Sequence, residues 1–329
     1  MEEKHVIEIS WATLWRIFLF LIVAVVMLTS RDILLGLFLA LVVSSGLDAI
    51  VDFLERKGVA RGLGVVLIFL AAAIGGAVLV SFVIPFVVSD VTSLFSNNAD
   101  VIHRLLAPLG ASGAASSLSA AAAEVVNNLF TGGGSPVQFF TSVVGGIGLT
   151  LTILVSAFYL SLNRDGVERF IHAVFPDGAA GKALRIYGRS RRKVGSWFQS
   201  QILLSVIISF LVWIALLVLG VKHAFVLGVL AGVFELVPFV GPIISGAVAT
   251  LAALTTSATL GFYTLIVFVA IQQVESHFLV PLLMRRTVDL HPVVVIISLL
   301  IGIQVGGLLG ALAAVPLAAV VQEVLAERA

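Results

Sequence analysis

The sequence predicts an all-α integral membrane protein of about eight membrane segments, two of them broken by glycine and proline. Three observations lead there. Of 329 residues, 60% are hydrophobic and only 11% charged, against about 45–50% apolar and about 25% charged in a soluble domain. The apolar residues fall into runs close to the ~20 that a helix needs to cross a bilayer core. Finally, the basic residues gather on one side of the map those runs draw.

Residues 1–89 hold the first three spans. Leu14–Thr29 and Ile33–Val51 form a tight hairpin around Arg31 and Asp32, and Leu63–Val88 follows, with Pro85 near its far end. The apolar run Ile17–Leu28 has the look of a signal sequence. It ends in Thr29, Ser30, Arg31 and Asp32 without a small-residue cleavage site, so an uncleaved first span is expected.

Residues 90–138 form a polar insert. Leu94, Val101, Leu105 and Leu106 recur at helical spacing, as do Leu118, Val125, Val126 and Leu129. The glycine-rich stretch Gly132–Pro136 ends the second of these helices as a linker. A helical cap along the membrane surface is expected, with a lid over an external mouth as the alternative.

Residues 139–162 make the fourth span, and residues 163–200 a basic amphipathic segment. There Val167, Phe170, Ile171, Val174 and Phe175 form an apolar stripe behind a capping Asn163 or Asp165. Arg185, Arg189 and Arg192 then share one helix face. Basic residues with interleaved aromatics can read nucleic acid, but directly against a span they suit anionic lipid headgroups, so membrane lipids are the expected partner and nucleic acid is not.

Residues 201–329 carry what reads as the transport core. Gln201–Leu219 and Gly261–Val280 are uninterrupted spans, whereas Ala224–Leu254 and Pro292–Val324 are not. In the first of these, Phe234–Gly246 reads FELVPFVGPIISG. Pro238 cannot sit inside a continuous helix, so a helix should end near Leu236. Gly241-Pro242 suits a new start. Two half-helices joined by unwound peptide at membrane depth are expected, an arrangement tolerated only when buried in protein or lining a cavity. Glu235 falls at the carboxyl end of the first half, where the helix dipole is already negative, and the two together favour a cation or a bound proton.

The second broken region opens at Asp289 and Pro292, is interrupted at Gly306-Gly307 and carries Pro316. Gly302, Gly306, Gly310 and Ala314 recur every four residues, and Gly228 and Gly232 do the same before the first break. Such faces let another helix approach closely. Paired Gly/Pro-interrupted segments point to the central site of a secondary transporter. Between the breaks, Gln272, Gln273, Glu275 and His277 form a polar band, read either as a wall of the pathway or as an interfacial network. Gln201 and Gln304 are further polar positions. Asp48 and Asp52, one turn apart at a span end, are expected to be simply solvated.

The distribution of positive charge sets the orientation. With a cytoplasmic N-terminus, Lys4, Arg16, Arg56, Lys57, Arg61, the Arg164–Lys193 group, Arg285, Arg286 and Arg328 all lie inside, leaving only Arg31, Arg104 and Lys222 outside. Trp11, Trp15 and Trp197 fall at span edges, where indoles anchor. A multi-pass protein of a bacterial cytoplasmic membrane is expected, with residues 90–138 extracytoplasmic.

Several function classes drop out. The absence of cysteine removes disulfides, thiolate chemistry and Cys-ligated metals. No GxxxxGK[ST] loop is present to couple ATP, and neither HExxH nor a GxGD-type pair supports an intramembrane enzyme. No cofactor or metal site is expected. A passive channel and a non-transporting scaffold remain as alternatives to a transporter.

Three stretches carry a resemblance. ELVPFVGP at Glu235–Pro242, the pattern from His277 to Val321, and FYLSLNRDG at Phe158–Gly166 resemble the autoinducer-2 exporter (AI-2E) family of bacterial membrane proteins, over nearly the whole chain. The resemblance implies an eight-spanning, homo-oligomeric secondary transporter. It implies either export of a small polar metabolite such as autoinducer-2 or sodium(lithium)/proton antiport. Glu235, Pro238, Gly241, Pro242, Gln272, Glu275, His277 and Gln304 would then line the transport and coupling site. Glu235 would be the coupling carboxylate of an alternating-access cycle driven by the proton gradient.

Overall fold

Long apolar runs can satisfy their backbone in a membrane only as helices, and helices are what a computed structural model of the chain contains. It describes residues 29–86, 136–163, 165–254, 256–284 and 290–327, together with isolated positions between 11 and 25. The first span and the 90–138 insert lie largely or wholly outside the described residues, as do Arg285, Arg286 and Asp289.

The helices are α1 (Arg31–Arg56), α2 (Arg61–Phe86), α3 (Pro136–Leu162), α4 (Gly166–Val174), α5 (Asp177–Leu219), α6 (Ala224–Phe234), α7 (Val240–Leu254), α8 (Ala258–Val274), α9 (Val280–Met284) and α10 (Pro292–Ala326). A π-helical turn, Glu275–Leu279, joins α8 to α9. Among the described residues, five stretches are long and apolar enough to cross a membrane, and three shorter apolar helices accompany them. The chain is a multi-pass membrane protein. On α2, Leu63, Val66, Leu67, Leu70, Ile74 and Val78 are all exposed, as suits a helix apolar all round with lipid for a solvent.

The structure merges two expected segments. The basic amphipathic stretch and the fifth span run together as the 43-residue helix α5. At about 1.5 Å per residue it is roughly twice the ~30 Å thickness of a bilayer core. No residue between Asp177 and Leu219 breaks its backbone, so the change from basic to apolar composition changes the helix's surroundings and not its course. It ends as expected, with Gly220 in the left-handed region and Val221 N–H bonded to the Leu216 carbonyl at 3.0 Å.

α6 turns back along α5, and the glycines permit the close approach. A Cβ at Gly228 would stand 2.6 Å from Trp213 Cβ, and one at Gly232 would stand 2.7 Å from the Ser205 carbonyl oxygen. Leu204, Ile208, Val212 and Leu216 of α5 pack there with Leu227 and Ala231 of α6 and with Ala249 and Ala253 of α7. A second cluster, Val42, Val194, Trp197 and Val315, binds α1 to α5 and α10.

α10 is a hairpin. Gly306 and Gly307 have non-helical backbone, Gly307 at φ 54°, and the Gly302 and Gly310 backbones touch. In a straight helix those residues would lie about 12 Å apart. The small-residue face predicted from sequence therefore meets the other leg of its own segment. The helix runs through Pro316, and the cap at its start is His291, whose Nδ1 accepts the Val293 N–H at 3.3 Å.

Two ionic clamps tie the ends of the helices together, and both correct sequence expectations. Asp48 and Asp52 are not merely solvated. Arg61 reaches Asp48 at 3.3 Å, Asp52 at 3.1 Å and the Ser161 carbonyl at 2.9 Å, while Arg191 reaches Asp48 at 2.6 Å. Nor is the basic face of α5 left entirely to lipid headgroups. Arg185 pairs with Glu327 at 3.3 Å, Arg189 with both Glu327 and Glu323, and Lys193 with Glu323. Arg192 alone of the predicted triad is in no such clamp among the described residues.

Candidate functional site

The unwound peptide between α6 and α7 satisfies its own backbone. Glu235 N–H bonds the Ala231 carbonyl at 2.9 Å, Val237 N–H that of Phe234 at 2.9 Å, Val240 N–H that of Pro238 at 2.8 Å, and Gly241 N–H that of Val237 at 2.9 Å. Pro238 interrupts the ladder where expected. Pro242 lies in the first turn of α7, where no N–H is needed. The turn is tight enough that a Cβ on Gly241 would strike the Phe234 carbonyl. Phe239 is held at φ 64°, a left-handed conformation that is uncommon for a non-glycine residue. Strain of this kind persists only where the surroundings over-determine the backbone.

Glu235, at the end of α6, is only 1% exposed. Its carbonyl accepts from Gln201 Nε2 of α5. Its carboxyl group meets that of Glu275, which is 7% exposed and begins the π turn after α8. The side chain of Gln272, one turn earlier on α8, lies against Glu275. π turns insert one residue into a helix, re-aim the side chains beyond it and recur at functional sites. Here the turn begins at the acidic residue.

Three buried oxygens in this region have no hydrogen-bond partner among the described residues: Glu235 Oε2, Gln201 Oε1 and Ser205 Oγ. Buried polar atoms are rarely left so, and each calls for an explanation. The other broken segment also reaches the site, since Val237 of the unwound peptide packs against Leu299, Ala311 and Ala314 on the two legs of α10. The unwound peptide thus lies against the legs of the α10 hairpin, while the interruption at Gly306-Gly307 has Leu35 of α1 beside it.

The family profile described as "AI-2E family transporter" matches residues 17–328. The chain belongs to the AI-2E transporter family. It is 27% identical over 292 residues to the Bacillus subtilis protein named "Putative transport protein YueF", covering 84% of this chain and 78% of that one. The Mycobacterium tuberculosis protein named "Putative transport protein MT0215" is 27% identical over 326 residues, covering 93% of this chain and 86% of that one. A third, from Thermotoga maritima, is 26% identical over 287 residues, covering 82% and 81%. These likenesses establish a membrane transport family.

Within this AI-2E chain, the structure gathers Glu235, Pro238, Gly241, Pro242, Gln272 and Glu275 of the predicted set. It leaves two apart. His277 is exposed, and its Nδ1 turns back to the Gln273 carbonyl at 3.0 Å and Ser276 Oγ at 3.1 Å. Gln304 is exposed on α10. Gly228 and Gly232 lie close against α5, Gly302 and Gly310 against each other, and Gly306 faces Leu35 of α1. Ser205 was not foreseen, and Gln201 held a lesser place than it deserves. The signal was present: Gln201, Ser205 and Ser209 recur every four residues, a polar line within an otherwise apolar run.

Proposed function

We propose that the chain is an ion-coupled secondary transporter in which Glu235 and Glu275 form one exchange site at the break in the helix. The observation that carries this reading is the contact of two buried carboxyl groups, one of them at the helix end that leads into the unwound peptide. Two such groups in contact cannot both hold an uncompensated negative charge. An ionised side chain at membrane depth costs about 2.5–3.5 kcal/mol even on the mildest scale. The pair must therefore keep either a proton or a cation, and a site that holds one or the other exchanges them.

The mechanism is alternating access. With a proton on the pair, Glu235 and Glu275 can share a hydrogen bond and the unwound peptide can close on α5 and α8. Loss of the proton leaves an anionic site that draws a cation, or a polar solute, from whichever side it faces. Oxygen ligands suit hard cations, and the partnerless oxygens of Glu235, Gln201 and Ser205 favour sodium or lithium as the counter-ion. Export of a small polar metabolite such as autoinducer-2 is the second reading, and the family description is what supports it. Both place the chain in a bacterial cytoplasmic membrane, N-terminus and the start of α5 inside, on the strength of the charge distribution.

Proteoliposomes holding a pH-sensitive dye test the proposal under imposed sodium, lithium or potassium gradients. Proton movement that follows sodium or lithium and disappears in Glu235→Gln is the expected result. Silence with every cation removes antiport, and efflux of labelled autoinducer-2 from the same liposomes then tests the second reading.

A further inference from the structure

α5 is not flush against its neighbours along the stripe from Gly178 through Lys182, Ile186 and Ser190 to Val194. A cavity of about 770 Å³ opens between this stripe, Phe38 and Leu41 of α1, Phe175 after α4, and Val320 of α10. That volume is within the range of sites that hold a small molecule. Its walls are apolar for most of their extent, with Lys182, Tyr187, Ser190 and Arg191 as the polar groups and no carboxylate among the described residues that line it.

Two observations set this cavity apart from a packing gap. Ser190 is 6% exposed, lines the cavity, and has a buried Oγ with no partner. A buried hydroxyl left unsatisfied is costly unless something completes it. The charge is also uneven. Arg191 is matched by Asp48 at 2.6 Å and holds its guanidinium 5.9 Å from the centre of the Tyr187 ring. Lys182, at the exposed edge, is paired with no carboxylate among the described residues. A greasy trough with a cation and hydroxyls at one side, set among membrane helices, matches an anionic amphiphile. Basic pockets between membrane helices bind acidic lipid headgroups.

We propose that this groove binds one phospholipid with an anionic headgroup. The phosphate is held among Lys182, Tyr187, Ser190 and Arg191, and the hydrocarbon lies over Phe38, Leu41 and Val320. A lipid so placed touches α1, α5 and α10 at once, beside the cluster of Val42, Val194, Trp197 and Val315 that joins the same three helices. It would brace the hairpin leg that packs on the unwound peptide. The inference is independent of which solute the transporter carries.

The full chain, purified into phosphatidylcholine nanodiscs, is titrated with phosphatidylglycerol, and retained lipid is counted by native mass spectrometry. Wild type is expected to keep a phosphatidylglycerol in preference to phosphatidylcholine. Lys182→Gln should bind it about fivefold more weakly, the effect of one basic residue at a headgroup. Ala179→Phe, at an exposed position on the groove, should abolish the preference without loss of thermal stability. Equal retention of the two lipids by wild type overturns the proposal, as does undiminished retention in Ala179→Phe. A change of oligomeric state in Ala179→Phe with lipid retention unaltered also overturns it, and assigns the face to a second copy of the chain.

Discussion

The carboxyl group of Glu235, at the C-terminal end of α6, lies against that of Glu275, the first residue of the π turn beyond α8. Regular helix ends just after Glu235 on one side and changes to a π turn at Glu275 on the other. Pro238 and Gly241 shape one side, and an inserted residue shapes the other. The contact joins two places where a helix gives up regular hydrogen bonding, which is where a membrane protein can rearrange without dismantling a span.

Removing one charge of the pair should separate function from stability. Glu235→Gln and Glu275→Gln each keep the shape and lose the exchangeable proton. Coupled proton flux in liposomes should fall by at least about tenfold, the level expected of an intramembrane functional carboxylate. Thermal unfolding in detergent, followed by tryptophan fluorescence, should occur at the wild-type temperature or above it, because the neutral amide can still hydrogen-bond the remaining carboxyl group and one buried ionisable group fewer needs a proton or cation to offset it.

The α10 hairpin should be intolerant at its glycine contact. Gly302→Leu and Gly310→Leu must push the legs apart, at a cost of about 1–3 kcal/mol for an overpacked site. Gly75→Ala, which meets nothing within 4 Å, should be neutral or slightly stabilising. A matching loss at Gly75 in the same unfolding assay would contradict the hairpin contact.

Two of the positive-φ positions should respond in opposite directions. Gly307, at φ 54°, has no neighbour in its way, so Gly307→Val should cost about 1–2 kcal/mol through backbone conformation alone. Phe239→Gly should relieve strain at φ 64°, leaving thermal stability level or raised even though an aromatic ring is lost. The ring is half exposed, so little packing is forfeited.

The clamp between α5 and α10 should be graded by burial. Glu323→Gln leaves Arg189 and Lys193 facing a neutral group and should destabilise by about 1–3 kcal/mol, discounted from a fully buried pair because both cations remain partly solvated. Arg185→Gln, at an exposed pair, should cost about 0–1 kcal/mol. A double-mutant cycle between Lys193→Gln and Glu323→Gln should show the coupling, weakening as salt is raised.

Much of this was legible because membranes narrow the options. Backbone that must bond itself turns apolar runs into helices, and proline marks where they stop, so the ends at Phe234 and Val240 follow from Pro238 and Gly241-Pro242. Periodicity identified the glycine faces but not their partners: nothing in Gly302 and Gly310 says they will meet each other. Basic residues at a span edge do not announce whether lipid or a distant carboxylate will hold them. Arg189 found Glu323, and Asp48 found Arg61 and Arg191, through tertiary contact alone. The π turn has no composition signature, which is why Glu275 reads as one of a polar band while only Glu275 faces Glu235.

The central claim, that the pair trades a proton for a cation, is tested most directly by proton release on binding. Purified protein in weakly buffered detergent solution, at a pH where the pair holds its proton, is mixed with sodium or lithium chloride and the free proton concentration followed with an indicator dye. Wild type should release protons saturably with sodium or lithium and not with choline, and Glu235→Gln should release none. Release that is equal for choline, or that persists undiminished in Glu235→Gln, would contradict the exchange site.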